Sequence, residues 1–431
     1  MTGAALADAL VANGLDPSER DAKQGLFTLV LDRWRALAPR ASEPHAWWVP
    51  GRLEVFGKHT DYAGGRTLVC AVPRGFAVVA GARADGLLRV VDARNDEQLE
   101  LSPARDESFV GWRHYVHVVA ARLARNFPGP PIGADLVFAS DLPRASGMSS
   151  SSALMISVAT ALVHLARIDE RAEWRANVHS PIDAAGYYAC IENGRTFGTL
   201  AGDAGVGTHG GSEDHAAIVT ARPSELSAFE FVPMRPFGTC RVPAEWRFVL
   251  APCGVPSEKT GPAKDQYNRL SLGTGVLLDC WNREQPPARS LGAALASSPD
   301  AVEHLHDIVR RTPVPGWTPD ALARRLDHFV GEDARVARAL GAFDEADAAR
   351  MTDLASGSQI DAEVLLENQI PATSALAHRA RELGAIGACS FGAGFGGSVW
   401  ALVAAADAAA FASRWTTPAF VARPGPAITR L

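Results

Sequence analysis

The chain has 431 residues, 47% of them hydrophobic and 21% charged, with a formal net charge of −6 at pH 7. That is globular composition, with enough chain for two core-bearing domains. It excludes a nucleic-acid binder built on a basic face, because no Lys/Arg-rich stretch is present. The six cysteines, Cys70, Cys190, Cys240, Cys253, Cys280 and Cys389, form no CxxC pair and no zinc spacing. They read as reduced thiols of a cytosolic protein. The first residues, MTGAALADALVANGLDP, lack a basic stretch followed by an apolar core, so no signal peptide is expected. The most apolar stretch, residues 386–411, is broken by four glycines and carries Asp407, so no membrane span is expected either.

In chain order, residues 24–37 carry apolar side chains at helical spacing: Leu26, Phe27, Val30, Trp34 and Leu37. Residues 47–56 read as a strand that runs into a polar loop, Gly57-Lys58-His59-Thr60-Asp61-Tyr62-Ala63-Gly64-Gly65. Residues 68–72, 77–80 and 87–91 read as further strands, with turns at Gly75 and at Asp85-Gly86. A helix is expected over 112–126, a strand over 134–138, and a second long helix over 182–197. A Gly-rich run, 202–211, leads to Ser212-Glu213-Asp214-His215, and 216–220 reads as a strand. Beyond a strand at 247–251 the character changes to helices over 263–283, 301–310, 321–329, 333–343 and 376–383. Residues 385–403 then read as strand, Gly-rich turn, strand. The change between Pro252 and Pro262 divides the chain into residues 1–255 and 256–431.

The chain is organised around Asp141 to Ala153, DLPRASGMSSSSA. A strand precedes it, and a run at helical spacing follows, with Leu154, Ile156, Val158, Ala161, Leu162 and Leu165. Small residues therefore sit at a helix N-terminus, where free backbone N–H groups and the helix dipole attract anions. The hydroxyls of Ser149 to Ser152 add donors and oxygen ligands suited to Mg²⁺. By itself the stretch is equally a Ser-rich N-cap. It is not a Walker loop, since no Gly-Lys-Ser/Thr follows.

Three separated segments carry a resemblance. VPGRLEVFGKHTDYAGG, residues 49–65, resembles the galactokinase signature. LPRASGMSSSSA, residues 142–153, resembles the phosphate loop of the galactokinase, homoserine kinase, mevalonate kinase and phosphomevalonate kinase (GHMP) superfamily. GACSFGAGFGGSVWALV, residues 387–403, resembles that superfamily's third motif. They occur in the family's order and at about its spacing, and HTDY is similar to the galactokinase branch in particular. The resemblance implies an α+β fold: an N-terminal mixed sheet like that of a ribosomal-protein domain, a C-terminal ferredoxin-like domain, and a cleft between them. It implies ATP and Mg²⁺ as cofactors and a small-molecule sugar as substrate.

It also implies roles for single residues. Gly147, Ser149, Ser150 and Ser151 match the ATP-binding loop, with Ser151 and Glu192 as Mg²⁺ ligands. Asp214 stands where the catalytic base belongs, although the chain reads Gly211-Ser212-Glu213-Asp214-His215 where galactokinases read Gly-Ile-Met-Asp-Gln. Glu213 is the fallback carboxylate. Arg52 matches the catalytic arginine, expected to keep that carboxylate ionised. His59 and Asp61 match sugar contacts, and Tyr267 a pocket tyrosine. Gly392, Gly394, Gly396 and Gly397 let backbone come close to the phosphates, or form a plain hairpin.

The expected activity is transfer of phosphate from ATP to the anomeric hydroxyl of a galactose-type sugar. A sugar sensor without turnover, and a mevalonate or homoserine kinase, are the other readings; the set Arg52, Ser151, Glu192 and Asp214 speaks against the first and HTDY against the second. Lys58 departs from the family, where Glu contacts the sugar's C6 hydroxyl; an ammonium only donates. It is expected to swing to solvent, to pair with Glu54, or to face the carboxylate of a uronic acid. Galactose, arabinose and uronic acids are therefore all candidate substrates.

Overall fold

The computed structural model describes the chain except for residues 38–42, 104–106, 258–261 and 417. The described strands are β1 (His45–Phe56), β2 (Arg66–Ala82), β3 (Leu88–Asp92), β4 (Glu97–Leu101), β5 (Ala134–Ser140) and β6 (Glu225–Glu230). They continue as β7 (Arg235–Arg241), β8 (Trp246–Pro252), β9 (Gly387–Phe391), β10 (Ser398–Ala404), β11 (Phe420–Ala422) and β12 (Thr429–Arg430). The first sheet runs β12-β1-β2-β5-β3-β4, with β6 and β7 added along the first half of β2. Its β3–β5 pair is parallel and the others are antiparallel, so it is a mixed sheet. The second sheet, β11-β8-β10-β9, is antiparallel throughout.

Side chains on a strand alternate between two faces, and β1 buries both. Trp47, Val49, Leu53 and Val55 join the large core under helix Ser150–Leu165. Ala46 and Trp48 join a smaller core under helices Gly3–Ala12 and Arg20–Leu37. This double burial explains why β1 is nearly continuous in apolar residues rather than alternating. The large core also carries Cys389, Phe391, Trp400 and Leu402 of the second sheet, so the two sheets share packing. Trp400 meets Phe56 edge-on at a centroid distance of 5.8 Å. Helices Pro371–Glu382 and Ala408–Trp415 cover the second sheet's far face. Helices Pro262–Glu284, Ala301–Arg311 and Pro319–Asp344 form a third layer that packs on Tyr62 and Ala63 of the polar loop.

Several local expectations change. Gly75 is not a turn: β2 runs through it, with a register shift against β1 between Pro50 and Arg52. The stretches 321–329 and 333–343 form one helix, Pro319–Asp344. Residues 216–220 are helical, within Glu213–Thr220, for a reason that lies in the polar loop. The proposed division at residue 255 falls between β8 and helix Pro262–Glu284; β8 itself pairs with β10 in the second sheet. No described helix is long and apolar enough to cross a membrane.

Candidate active site

The polar loop after β1 folds on its own side chains. Thr60 Oγ1 donates to Arg66 O at 2.7 Å, closing the loop. His59 adopts a left-handed backbone, φ 56°, which is costly for a side chain other than glycine and is concentrated at functional sites. Its Nδ1 lies 2.9 Å from the Tyr62 hydroxyl and its Nε2 3.2 Å from Ala393 O of the third motif. Asp61 Oδ2 accepts from the backbone N–H groups of Ser212 and Glu213 at 2.7 and 3.0 Å. Helix Glu213–Thr220 has no side-chain cap from its own Ser212, so Asp61 caps it from 151 residues away in sequence. That tertiary cap turns a β-prone Ala-Ile-Val-Thr run into a helix. Gly211 makes room for it: a Cβ there would fall 1.7 Å from Asp61 Oδ2. Burial pushes the Asp61 carboxyl up in pKa, against those N–H groups.

The capped helix presents Asp214 to β1. Arg52, 3% exposed, donates from Nε to Asp214 Oδ1 at 2.6 Å and from Nη2 to Glu213 Oε1 at 3.3 Å. Its Nη1 reaches Gly147 O of the Ser-rich loop at 2.5 Å. One guanidinium therefore ties all three motifs' neighbourhoods: a Cβ on Gly392 would lie 2.8 Å from that same Gly147 O. Burial opposes the Arg52 charge, but Asp214, Glu213 and Glu54 outweigh it and hold its pKa above the ordinary value. Glu213 differs from Asp214. Burial, and then the Glu54 charge, push its carboxyl well above the usual range, which favours its neutral form over that of an ordinary carboxyl. Glu54, on the same strand as Arg52, is likewise pushed up, by burial first.

Helix Ser150–Leu165 begins at Ser149, which sits in the left-handed region with no side-chain cap bond to the helix. The buried Ser149 hydroxyl has no partner among the described residues. Unfilled N–H groups and a spare hydroxyl suit a phosphate. Ser398 Oγ of β10 donates to Ser146 O at 2.6 Å and pins this loop to the second sheet. The hydroxyl on Glu192 is not that of Ser151, which is half-buried, but that of the fully buried Ser152. Ser152 Oγ lies 2.8 Å from Glu192 Oε2 and 3.3 Å from Asp214 Oδ2. Helical spacing marks it: Ser152 shares the buried stripe of Met155, Ile156 and Ala159. His215 Nε2 lies 3.3 Å from Glu192 Oε2, at ion-pair range but without hydrogen-bond alignment.

Tyr267, on helix Pro262–Glu284, closes the cleft with its ring 5.6 Å from that of His59. Lys58 takes none of its three expected courses. It is 1% exposed, and its ammonium donates to Ser358 Oγ at 2.7 Å, Cys389 Sγ at 2.9 Å and Ser390 O at 3.0 Å. Glu332 Oε1 lies 4.0 Å from it and accepts from Ser358. Burial opposes the charge, but Cys389, Glu332 and Glu54 hold the ammonium above its ordinary pKa. Lys58 is absent from the residues that line the cleft. The same Glu332 oxygen accepts from the N–H groups of Gly57 and Lys58 at 3.0 and 3.3 Å, so helix Pro319–Asp344 sets the loop's backbone. Arg325 of that helix donates to His59 O at 2.6 Å.

Comparison with known proteins agrees with this geometry. Residues 39–82 match the family model described as the galactokinase galactose-binding signature, and residues 114–188 that of the GHMP kinases N terminal domain. A galactokinase of Roseiflexus sp. (strain RS-1) is 27% identical over 357 residues, 82% of each chain. A galactokinase of Chloroflexus aurantiacus is 29% identical over 371 residues, 84% of each. The structure of Lactococcus lactis galactokinase complexed with galactose superposes with a TM-score of 0.75 at 22% identity, covering 93% of this chain and 98% of that one. Methanococcus jannaschii mevalonate kinase gives 0.54 at 12% identity, covering 89% and 99%. The signature, the N-terminal domain and the shared α+β fold agree: the chain resembles the galactokinases among the GHMP kinases.

Proposed function

We propose that this chain transfers the γ-phosphoryl group of ATP to the anomeric hydroxyl of galactose, giving galactose 1-phosphate, ADP and a proton. The observation that carries the reading is the buried Arg52–Asp214 pair, 2.6 Å apart, in the cleft between the HTDY loop and the Ser-rich loop. Phosphoryl transfer asks the protein for positioning and charge stabilisation more than for covalent chemistry. Asp214 accepts the proton of the attacking hydroxyl. Arg52 steadies the oxygen's developing charge and fixes Asp214 against Gly147. His59, Asp61 and Tyr267 orient the sugar; Gly147, Ser149 and Ser150 receive the phosphates.

Mg²⁺ fits the oxygens here. Glu192 is a hard carboxylate at the loop, and Mg²⁺ is ordinarily held by one or two such groups together with phosphate and water. Glu192, with a serine oxygen from Ser151 or Ser152, would hold it, and the ion would neutralise phosphate charge. The described cysteines are all free thiols, which favours a cytosolic setting.

Uronic acids lose the observation that suggested them, since the Lys58 ammonium is consumed by Ser358, Cys389 and Glu332. The test is coupled ADP release with galactose, arabinose and galacturonate. Turnover on galactose with a 1-phosphate product is expected. Tight binding of ATP and galactose without ADP release would instead favour the sensor.

A further inference from the structure

Two carboxyls of the cleft have no part in that reaction. Glu54, 2% exposed, and Glu213, 8% exposed, both line it, and each shifts the other's proton affinity. Glu54 Oε1 and Glu213 Oε2 are buried, and neither has a partner in the geometry of the described residues. Ionised carboxylates only accept, so two that meet need a shared proton or a donor from outside. Their neighbours are already committed. Asp61 is filled by two backbone N–H groups, and Arg52 by Asp214, Glu213 and Gly147 O.

We propose that Glu54 and Glu213 form a cation-receiving corner of the sugar cleft, which selects a sugar bearing an ammonium group over neutral and anionic sugars. Five carboxyls, Glu54, Asp61, Glu192, Glu213 and Asp214, line the cleft with one guanidinium, Arg52, and the buried Lys58 ammonium also acts on Glu54. Even with one proton shared between Glu54 and Glu213, that part of the cleft is net negative. An ammonium carries three donors and no acceptor, matching the two unfilled oxygens, whereas a hydroxyl brings a single donor. When it binds, the pair releases its shared proton to solvent and the ammonium takes its place. A sugar carboxylate would meet acceptors and like charge.

The proposal rests on the kinase reading for its kinetic test but not for its binding test. Wild type and Glu54→Gln are compared for kcat/KM on galactose, galactosamine, 6-amino-6-deoxygalactose and galacturonate. In wild type one of the two amino sugars is expected to exceed galactose, with galacturonate last. That amino-to-neutral ratio is expected to fall about tenfold or more in Glu54→Gln, because a buried charge partner has been removed. An unchanged ratio overturns the proposal. Titration calorimetry of wild type with the same four sugars covers a variant that does not fold and an enzyme that gives no ADP. Tighter binding of an amino sugar than of galactose supports the corner; equal or weaker binding of both overturns it, whatever becomes of the kinase reading.

Discussion

Adjacent residues divide the chemistry of the cleft. Glu213 and Asp214 are neighbours on one helix turn, yet Arg52 holds Asp214 at 2.6 Å and Glu213 only at 3.3 Å. Asp214→Asn should therefore keep ATP binding and lose on the order of 10²–10⁴-fold in kcat, the cost of a positioned base. Single-turnover ADP release checks it; near-normal turnover would move the base to Glu213. At the other end of the pair, Glu192→Gln should raise the Mg²⁺ concentration needed for half-maximal rate, because an amide oxygen is a weaker ligand for a hard cation. Ser152→Ala should do likewise if its hydroxyl, rather than that of Ser151, serves Glu192. A Mg²⁺ titration that shifts for Ser151→Ala alone would return the role to Ser151.

At the level of elements, the HTDY loop is a joint between helices far apart in sequence. Asp61 caps helix Glu213–Thr220, so Asp61→Ala should cost stability as well as sugar affinity. About 1 kcal/mol is the ordinary value of such a cap. A thermal melt without sugar reads the first effect and the galactose KM the second; a KM change with no loss of Tm would show that the cap is dispensable. Lys58 and Glu332 join the same loop to helix Pro319–Asp344 through Ser358. Lys58→Glu, which restores the family's residue type, would place like charges in the core. It should lose about 3–5 kcal/mol, as broken buried pairs do. The swap Lys58→Glu with Glu332→Lys should recover part of that loss in denaturant titration, and no recovery would deny the pairing.

For the whole molecule, buried carboxyls pull the pH dependence of stability in opposite directions. Glu332 is held below its ordinary value: burial opposes this, but Lys58 and Arg335 prevail. Its contribution is present above its unfolded pKa and is lost as pH falls through the folded one. Glu213 is raised, so the folded state binds the extra proton. Its contribution is full below the ordinary value and is lost as pH rises through the folded one. Glu213→Gln removes that loss. The Tm of the variant relative to wild type should climb as pH rises above the ordinary carboxylate range, by about 1 °C for each kcal/mol released in a chain of this length. A difference that stays flat with pH would mean that Glu213 is ionised throughout.

Motifs made of contiguous residues were legible without coordinates, because their spacing is their chemistry. The Ser-rich loop needs small residues before a helix, the HTDY loop follows a strand, and the glycines after β9 allow close backbone approach. Through the family resemblance those motifs carry, Arg52, Asp214, Glu192, His59 and Asp61 could be named one by one, and Tyr267 without a local motif; the structure gathers them around one cleft and its Ser-rich loop. The α+β class followed from the resemblance. What depends on contacts across the chain was not legible. The run Ala216 to Thr220 is β-prone by composition and becomes helical because Asp61 caps it from another element. Lys58 stands at a sugar-contact position in the signature, but Ser358, Cys389 and Glu332, about 270 to 330 residues further on, draw its ammonium into the core. Ser152 was one serine in four until helix packing turned it to Glu192. Local sequence sets which group each residue offers; only the fold decides which charges and hydroxyls become neighbours, since a buried charge goes wherever it finds partners.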